Sequence, residues 1–563
     1  MAMWTSLPRV ALGAVVASVF VACASPVPAG PSPTGPPAVS PGTAPTLNGT
    51  TTPAQPTAQP ASAAPTSVPT AAPASAGPSA TASPFSGAWI DVTAETIGTT
   101  AEWTNKVELA DINGDGLVDI LFANGGNYDV AGAPVASRVF ANRGAGEFEE
   151  VTESVSGGRE DLTRVVKVRD LNSDGHPDIL LGTTFQTQSR LFLGTGNGVF
   201  TDVTESHLPR GPLSVGDLEI GDVDGDGDLD MVLADWGVGS PMRNQGGLMR
   251  LWLNDGEARF TDATDQMPIT LVGFSWDIEL LDVENDWDLD LVVSCKVCPT
   301  SLLYENDGDG RFTDVTEGRM PPFRNNYEFA PMDLDGDGFL DLVTINDGTG
   351  ATEHIFRADG RGGFTDVTAD WWPRPHNAGY DDNVVVFLDV DSDGDADFLI
   401  GSLDGPDRLM INGGSGNLTL ADSVFDGRQS GGTLGMAVAD LNGDRRPDVV
   451  EGQGEVTGHE DERVYFGTNV LAPDTASPVI ATDLGESPNG SVTVHARVHD
   501  NRTPNMPHDW QSVELRWTGS GGPGAAAMTW YGENLFRVTV ELPADASDVQ
   551  VCAVDAVGNE GCS

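Results

Sequence analysis

From residue 89 onward, apolar and polar positions follow a short repeating cadence. A first apolar run, such as Val107-Glu-Leu-Ala, Leu218-Glu-Ile-Gly or Val385-Val-Phe-Leu, leads into a nine-residue polar loop. A second run follows at once: Asp119-Ile-Leu-Phe, Asp178-Ile-Leu-Leu, Asp290-Leu-Val-Val, Asp341-Leu-Val-Thr. The third reads Arg190-Leu-Phe-Leu, Arg250-Leu-Trp-Leu-Asn254, Leu302-Leu-Tyr-Glu-Asn306 or Arg463-Val-Tyr-Phe. After a Gly-rich turn comes a fourth: Phe200-Thr-Asp-Val-Thr204, Phe260-Thr-Asp-Ala-Thr264, Phe312-Thr-Asp-Val-Thr316, Phe364-Thr-Asp-Val-Thr368. Runs this short, rich in β-branched and aromatic residues and bounded by turns, predict strands. Four strands per repeat is the make-up of a propeller blade.

The polar loops start at Asp111, Asp170, Asp222, Asp282, Asp333, Asp389 and Asp440, at intervals of 51 to 60 residues. Self-similarity at such a period signals a repeat architecture. The ends predict closure. Trp89-Ile-Asp-Val-Thr93 is a fourth-strand motif standing before the first loop, and the last repeat, ending near Arg463 to Gly467, lacks one. Counting the degenerate Leu418-Thr-Leu-Ala, the reading is an all-β chain whose main body is a seven-bladed β-propeller over 85–468.

The loops carry the strongest chemistry. In Asp222-Val-Asp-Gly-Asp-Gly-Asp-Leu-Asp230, carboxylates at positions 1, 3, 5 and 9 can converge on one hard cation, and Gly227 at position 6 permits the sharp turn. The candidate ligands are Asp111, Asn113, Asp115 and Asp119; Asp170, Asn172, Asp174 and Asp178; Asp222, Asp224, Asp226 and Asp230; Asp282, Glu284, Asp286 and Asp290. The last three loops supply Asp333, Asp335, Asp337 and Asp341; Asp389, Asp391, Asp393 and Asp397; Asp440, Asn442, Asp444 and Asp448. An EF-hand or a dockerin would place a helix after the loop, where this chain has a strand. The loops and their period resemble the FG-GAP/VCBS repeat family, best known from the propeller of integrin α subunits. The repeated Phe-Thr-Asp-Val-Thr looks more like the bacterial secreted branch, including relatives of cartilage acidic protein. That resemblance implies Ca²⁺, up to seven ions, but names no ligand. Two loops depart from the pattern. The fourth has Glu284 at position 3 and Trp287 at the glycine position, and the seventh has Arg445 there with Arg446 beside it. Weaker metal binding is expected at both, most of all the seventh. The ions are expected to be structural, since loops so full of ligands leave little open coordination for catalysis.

Residues 470–563 change character. Val492-Thr-Val-His-Ala-Arg-Val498, Ser512-Val-Glu-Leu-Arg-Trp517, Leu535-Phe-Arg-Val-Thr-Val540 and Val549-Gln-Val-Cys-Ala-Val554 predict an Ig-like β-sandwich. Two structural disulfides are expected, Cys295–Cys298 and Cys552–Cys562, because a redox Cys-x-x-Cys belongs at a helix start and one pair cannot build a zinc site.

The first 23 residues read as an export signal, with Arg9 the only basic side chain and an apolar stretch from Val10 to Ala22 too short to span a bilayer. Phe20-Val-Ala-Cys23 resembles a bacterial lipobox, which makes Cys23 the candidate lipidation site; ordinary signal-peptidase cleavage is the alternative. Residues 24–84, almost wholly Pro, Ala, Thr, Ser and Gly, predict an extended tether. The expected location is the bacterial cell envelope, outer membrane or cell surface, reached through the anchor alone. A net charge of -55 argues against nucleic acid or an anionic membrane surface as partner.

In a propeller the loops joining first to second strands share one end with the third-to-fourth turns. The other end carries the long loops, and here the aromatics Trp103, Tyr128, Trp236, Phe274, Trp276, Phe323, Tyr327, Trp371, Trp372 and Tyr380. Of these, Trp103, Trp236, Trp276, Tyr327, Trp371, Trp372 and Tyr380 are the candidate ligand-binding platforms, beside Lys106, Arg164, Asp217, Asp277, Glu328 and Asp381. Rings with carboxylates suit a glycan or a protein surface; packing between blades is the competing use of each ring. The reading is a non-enzymatic surface-binding or adhesion protein. The alternatives are a polysaccharide lyase or hydrolase, working through His376 or an Asp277/Glu328 pair, and a structural envelope protein.

Overall fold

The computed structural model describes residues 83–563 apart from 347, 349, 422, 426–430, 455–461, 486–490 and 503–508. The export signal, Cys23 and nearly all of the 24–84 tether lie outside the described residues. Strand predominates, and no described helix is long and apolar enough to cross a membrane.

Seven antiparallel sheets follow one another, each with four strands in the order predicted, and one is extended by Leu271–Val272. Their first strands are Thr104–Ala110, Thr163–Arg169, Val215–Gly221, Ile278–Leu281, Asn326–Met332, Asp382–Leu388 and Thr433–Ala439. Each touches the next, and the seventh touches the first, so the series closes on itself. These features are consistent with a propeller. The closing sheet is shared between the chain's two ends: Trp89–Asp91 pairs with Arg463–Gly467, Trp89 opposite Gly467 and Asp91 opposite Tyr465. Trp89 is fully buried, donates from Nε1 to the Pro447 carbonyl at 2.8 Å, and stacks on Phe425 at 5.2 Å.

The core is a set of apolar layers between neighbouring sheets. Leu121 and Val139 of the first sheet, for example, pack on Val166, Val168 and Ile179 of the second, each buried side chain contributing about 1.5–3 kcal/mol. The fourth-strand motif is shorter as a strand than its sequence suggests. Strand ends at the Asp, as in Phe200–Asp202 and Phe364–Asp366, and the Thr opens a helical turn, Thr204–His207 or Thr368–Trp371. Asp202 accepts the Thr204 N–H at 3.0 Å, while Thr204 Oγ1 accepts the Leu191 N–H at 3.0 Å. The same pair of bonds recurs at Asp366, Thr368 and Ile355. The motif is therefore a staple that ends one strand and pins the turn to its neighbour.

After residue 478 come two further four-stranded sheets. One contains Val479–Leu484, Ser491–His499, Leu535–Glu541 and Thr529–Gly532; the other contains Gly524–Ala527, Trp510–Thr518, Ser547–Asp555 and Glu560–Cys562. Val494, Ala496, Leu515, Phe536 and Val551 fill the space between them. Cys552 and Cys562 face each other across paired strands and are disulfide-bonded, as are Cys295 and Cys298.

Candidate metal loops and the two ends of the ring

All seven loops are built on one scaffold, set by the aspartate at position 9. In the third loop Asp230 Oδ2 accepts the Val223 N–H at 3.1 Å and Oδ1 accepts the Asn254 N–H at 2.9 Å, tying loop to third strand. The same two bonds occur at Asp119, Asp178, Asp290, Asp341, Asp397 and Asp448. These carboxyls are buried, and without an ion burial pushes them up: Asp119 and Asp178 to about 7, Asp230, Asp341 and Asp448 to about 8, Asp397 to about 9.

Position 1 turns the loop. Asp222 Oδ2 accepts the Gly227 N–H at 2.9 Å, which leaves Oδ1 buried with no hydrogen-bond partner. A buried carboxylate oxygen without a donor is costly unless a cation meets it. In the third, fifth and sixth loops, one oxygen from each of positions 1, 3 and 9 lies within 4.8 Å of the others: Asp222, Asp224 and Asp230; Asp333, Asp335 and Asp341; Asp389, Asp391 and Asp397. Such a donor set fits a hard divalent ion. Position 5 stands outside these clusters, for Asp226 Oδ1 accepts the Asp228 N–H at 3.0 Å and Asp337 and Asp393 do likewise two residues on. The first, second and seventh loops keep the same backbone turn with Asn at position 3. Asp111, Asp170 and Asp440 accept the position-6 N–H at 2.7–2.8 Å, and Asp115, Asp174 and Asp444 each accept at position 7. The seventh does so even though Arg445, at φ 66°, stands where the others have glycine.

The fourth loop does not fit an ion. Arg497, from the C-terminal sheets, places Nη2 3.0 Å from Asp282 Oδ2, with both side chains buried, and its Nη1 donates to the Gly338 carbonyl of the fifth loop at 2.6 Å. Trp287, at φ 74°, stacks on His495 with centroids 5.7 Å apart, and its carbonyl accepts from Tyr531 Oη at 3.0 Å. Glu284 reaches Arg319 and is pushed up to about 7 by burial and by Glu305. A guanidinium thus sits where the other loops have room for a cation. The contact spreads to neighbouring loops: Arg537 pairs with Asp222, the Tyr531 carbonyl accepts the Asp222 N–H, and Asn501 Nδ2 donates to the Gly394 carbonyl at 2.7 Å. The seventh loop holds the connecting segment, since the Arg445 carbonyl accepts the Asp474 N–H at 2.7 Å. The C-terminal sheets therefore rest on the loop end of the ring. Nothing in the local sequence of Arg497 or Arg537 marks them for this task.

At the opposite end the aromatics are mostly core, contrary to their expected exposure. Trp236, Trp276, Tyr327 and Trp372 are at most 3% exposed. Trp236, Phe274 and Trp276 pack within 4.8–5.9 Å of one another, with the Arg164 guanidinium 3.7 Å from the Trp276 ring centroid. Tyr327 packs on Trp276 at 5.0 Å. Trp372 meets Phe398 edge-on at 5.5 Å. Converging loops near a closed ring's axis have little room, so large rings meet each other before they meet solvent. Trp103, Trp371 and Tyr380 are half-buried: Trp103 donates to Asn105, Trp371 lies against Gly416, and Tyr380 lies under Arg408. Asp277 and Glu328 are buried on the ring axis beside Lys106 rather than at a surface. His376 Nδ1 accepts the Leu420 N–H at 3.3 Å. An open cleft of about 550 Å³ lies further out, between the loop joining second to third strand and the one leaving the fourth, lined by His354, Asp366, Arg374, Asn377 and the edge of Trp372.

Residues 111–181, 170–233, 300–344, 333–400 and 389–451 each match the family described as FG-GAP-like repeat. The chain is an FG-GAP repeat protein. Integrin alpha-PS5 of Drosophila melanogaster is 34% identical over 99 residues, which are 16% of this chain and 10% of that protein. Among solved structures, the FG-GAP protein is similar to a lectin of Agrocybe aegerita whose title describes recognition of non-reducing terminal N-acetylglucosamine (TM-score 0.36, 17% identity, 56% of this chain and 79% of that one). It is also similar to the V. cholerae biofilm matrix protein Bap1 (TM-score 0.32, 14% identity, 82% and 72%). The matched segments of the FG-GAP chain take in six of the seven loops; the fourth, at 282–290, lies between them, where Arg497 and Trp287 make the contacts described above.

Proposed function

We propose that this is an exported, Ca²⁺-stabilised, seven-bladed β-propeller with a C-terminal Ig-like sandwich, anchored through Cys23, that binds extracellular glycan or protein ligands at the cell surface. Ca²⁺ would be held by the position 1, 3 and 9 side chains and would fix each loop between its first two strands. The observation that carries the binding reading is the division of the ring's ends. One end is taken up by the C-terminal sheets seated on the loops, while the other bears an open cleft in which His354 and Asp366, 2.9 Å apart, face Arg374 and Asn377. Polar side chains beside a tryptophan edge suit a sugar's hydroxyls and ring face, or the rim of a protein partner. The burial of Asp277, Glu328 and most of the aromatics speaks against the lyase or hydrolase alternative on the axis.

The test is glycan- and protein-array binding by the chain from residue 85, in calcium and in chelator, with Arg374→Ala and His354→Ala beside it. A calcium-dependent ligand that both variants lose by tenfold or more supports the reading. Turnover of a polysaccharide, with no retained ligand, would overturn it.

A further inference from the structure

A cavity of about 100 Å³ lies on the axis of the ring, away from the loops, lined by first-strand residues and by Glu533 of the C-terminal sheets. Its charges do not balance. Lys106 Nζ is 2.7 Å from Asp277, Lys167 Nζ is 2.6 Å from Glu219, and Arg169 Nη1 is 2.8 Å from Glu108. That uses all three cationic side chains of the lining. Asp217, Glu279, Glu328 and Glu533 remain as four further carboxyls. Lys106 reaches Asp217 only at 3.8 Å, already committed to Asp277, and Glu328 has a single backbone donor, the Val385 N–H at 2.8 Å. Two oxygens, Asp217 Oδ1 and Asp277 Oδ2, belong to side chains at most 3% exposed and have no hydrogen-bond donor.

Clustered carboxylates in a low-dielectric enclosure repel one another, and each pushes its neighbours toward the neutral form. Burial raises Glu328 to about 8 and Glu533 to about 7, and lifts Glu279 well above the carboxylate range with Glu219, Asp277 and Glu533 adding to it. A cation relieves the same imbalance without protonation. The volume admits an ion with about three waters, taking liquid water at about 30 Å³ each, and water-mediated carboxylate contact is how small hard cations bind in roomy acidic sites. We propose that this axial chamber binds one hydrated divalent metal ion, separate from the loop sites, with Asp217, Asp277, Glu279 and Glu328 supplying the charge and Lys106 moderating its affinity.

The experiment counts Ca²⁺ bound to the full folded chain by equilibrium dialysis at pH 9, where the raised carboxyls do not hold protons against the ion. Glu279→Gln/Glu328→Gln should bind one ion fewer than the native chain. Lys106→Gln, which keeps every carboxyl, should bind the same number with one site tighter by about tenfold or more. Asp335→Asn in the fifth loop serves as the control that removes a loop ion. If the Gln pair and Lys106→Gln both leave ion count and affinities unchanged while Asp335→Asn loses one, the chamber holds protons or water only and the proposal is overturned, with the loop reading intact. An Asp335→Asn chain that loses nothing would strike at the loops instead.

Discussion

Arg497→Met separates the two things the fourth loop has been made to do. The substitution keeps most of the aliphatic stem and removes a guanidinium that is 2% exposed, leaving Asp282, 0% exposed, without its counter-charge. Breaking a buried ion pair from one side costs about 3–5 kcal/mol, because the remaining charge is stranded rather than merely unpaired. The donor to the Gly338 carbonyl goes with it. In chelator the full loss should appear. In calcium part of it should return, because Asp282, Asp286 and Asp290 then present an anionic loop with no resident cation. An ion bound only by the folded state, at ten times its Kd, contributes about 1.4 kcal/mol, and extracellular calcium modules have Kd of roughly 0.1–1 mM. The deficit of the variant should therefore shrink by about 1–2 kcal/mol between chelator and 10 mM calcium.

The assay is urea unfolding of the chain from residue 85, followed by tryptophan fluorescence, with native and variant chains measured in both conditions. A deficit equal in chelator and calcium would refute the idea that Arg497 stands in for an ion. A deficit under about 1 kcal/mol in chelator would refute the buried pair itself. Arg537→Met is the matched comparison. Its partner Asp222 keeps Oδ1 open to a cation with the arginine present, so the third loop's calcium response should survive in both chains.

Other expectations follow from the same geometry. Asp224→Ala takes one oxygen from the third-loop cluster and should cost about 1.4 kcal/mol in 1 mM calcium at a Kd of roughly 0.1 mM, and under about 1 kcal/mol in chelator, read as paired thermal melts. The position-9 carboxyls are raised to about 7–9 in the ion-free fold, against 3.8 for the free side chain. Their contribution is fully present below about pH 4 and is lost as pH rises through 7 to 9, so ion-free protein should melt lower at pH 9 than at pH 5. Calcium should abolish that slope and release protons on binding at pH 6, measurable in weakly buffered titration. Trp372→Ala should cost about 3–5 kcal/mol in urea unfolding, as loss of a buried indole does; a change under 1 kcal/mol would show the ring to be dispensable to the core.

The repeat was legible because it is local. Strand, loop and staple residues sit within ten positions of one another, and period and spacing expose them directly. Closure by Trp89–Asp91 was legible for a related reason, since a surplus fourth strand at one end and a missing one at the other leave a single tidy pairing. Exposure of the aromatics was not legible. Whether Trp276 faces solvent depends on Arg164, Phe274 and Tyr327, which come from three other repeats and meet it only after the ring has closed. The contact of Arg497 and Arg537 with the loops was hidden for the same reason: each arginine sits in an ordinary alternating strand, and its partner lies more than 200 residues away. The departures in the loops did signal something, but sequence alone read them only as weakened metal sites.

Those departures have a reason in symmetry. A ring of near-identical loops offers an appended pair of sheets several nearly equivalent seats, and a seat repeated around the ring cannot specify one orientation. Specificity needs a feature present at one seat and absent from the others. Trp287 provides it, with a bulky ring held at positive φ that stacks on His495, while Asp282 receives Arg497 as an ion would be received elsewhere. Arg445, again at positive φ, marks the seventh loop, whose carbonyl holds the chain as it leaves the ring. A non-glycine residue in that conformation costs about 1–2 kcal/mol, a cost tolerated at these two loops and not at the other five. The two strained positions are the two at which the chain beyond residue 468 needs an address.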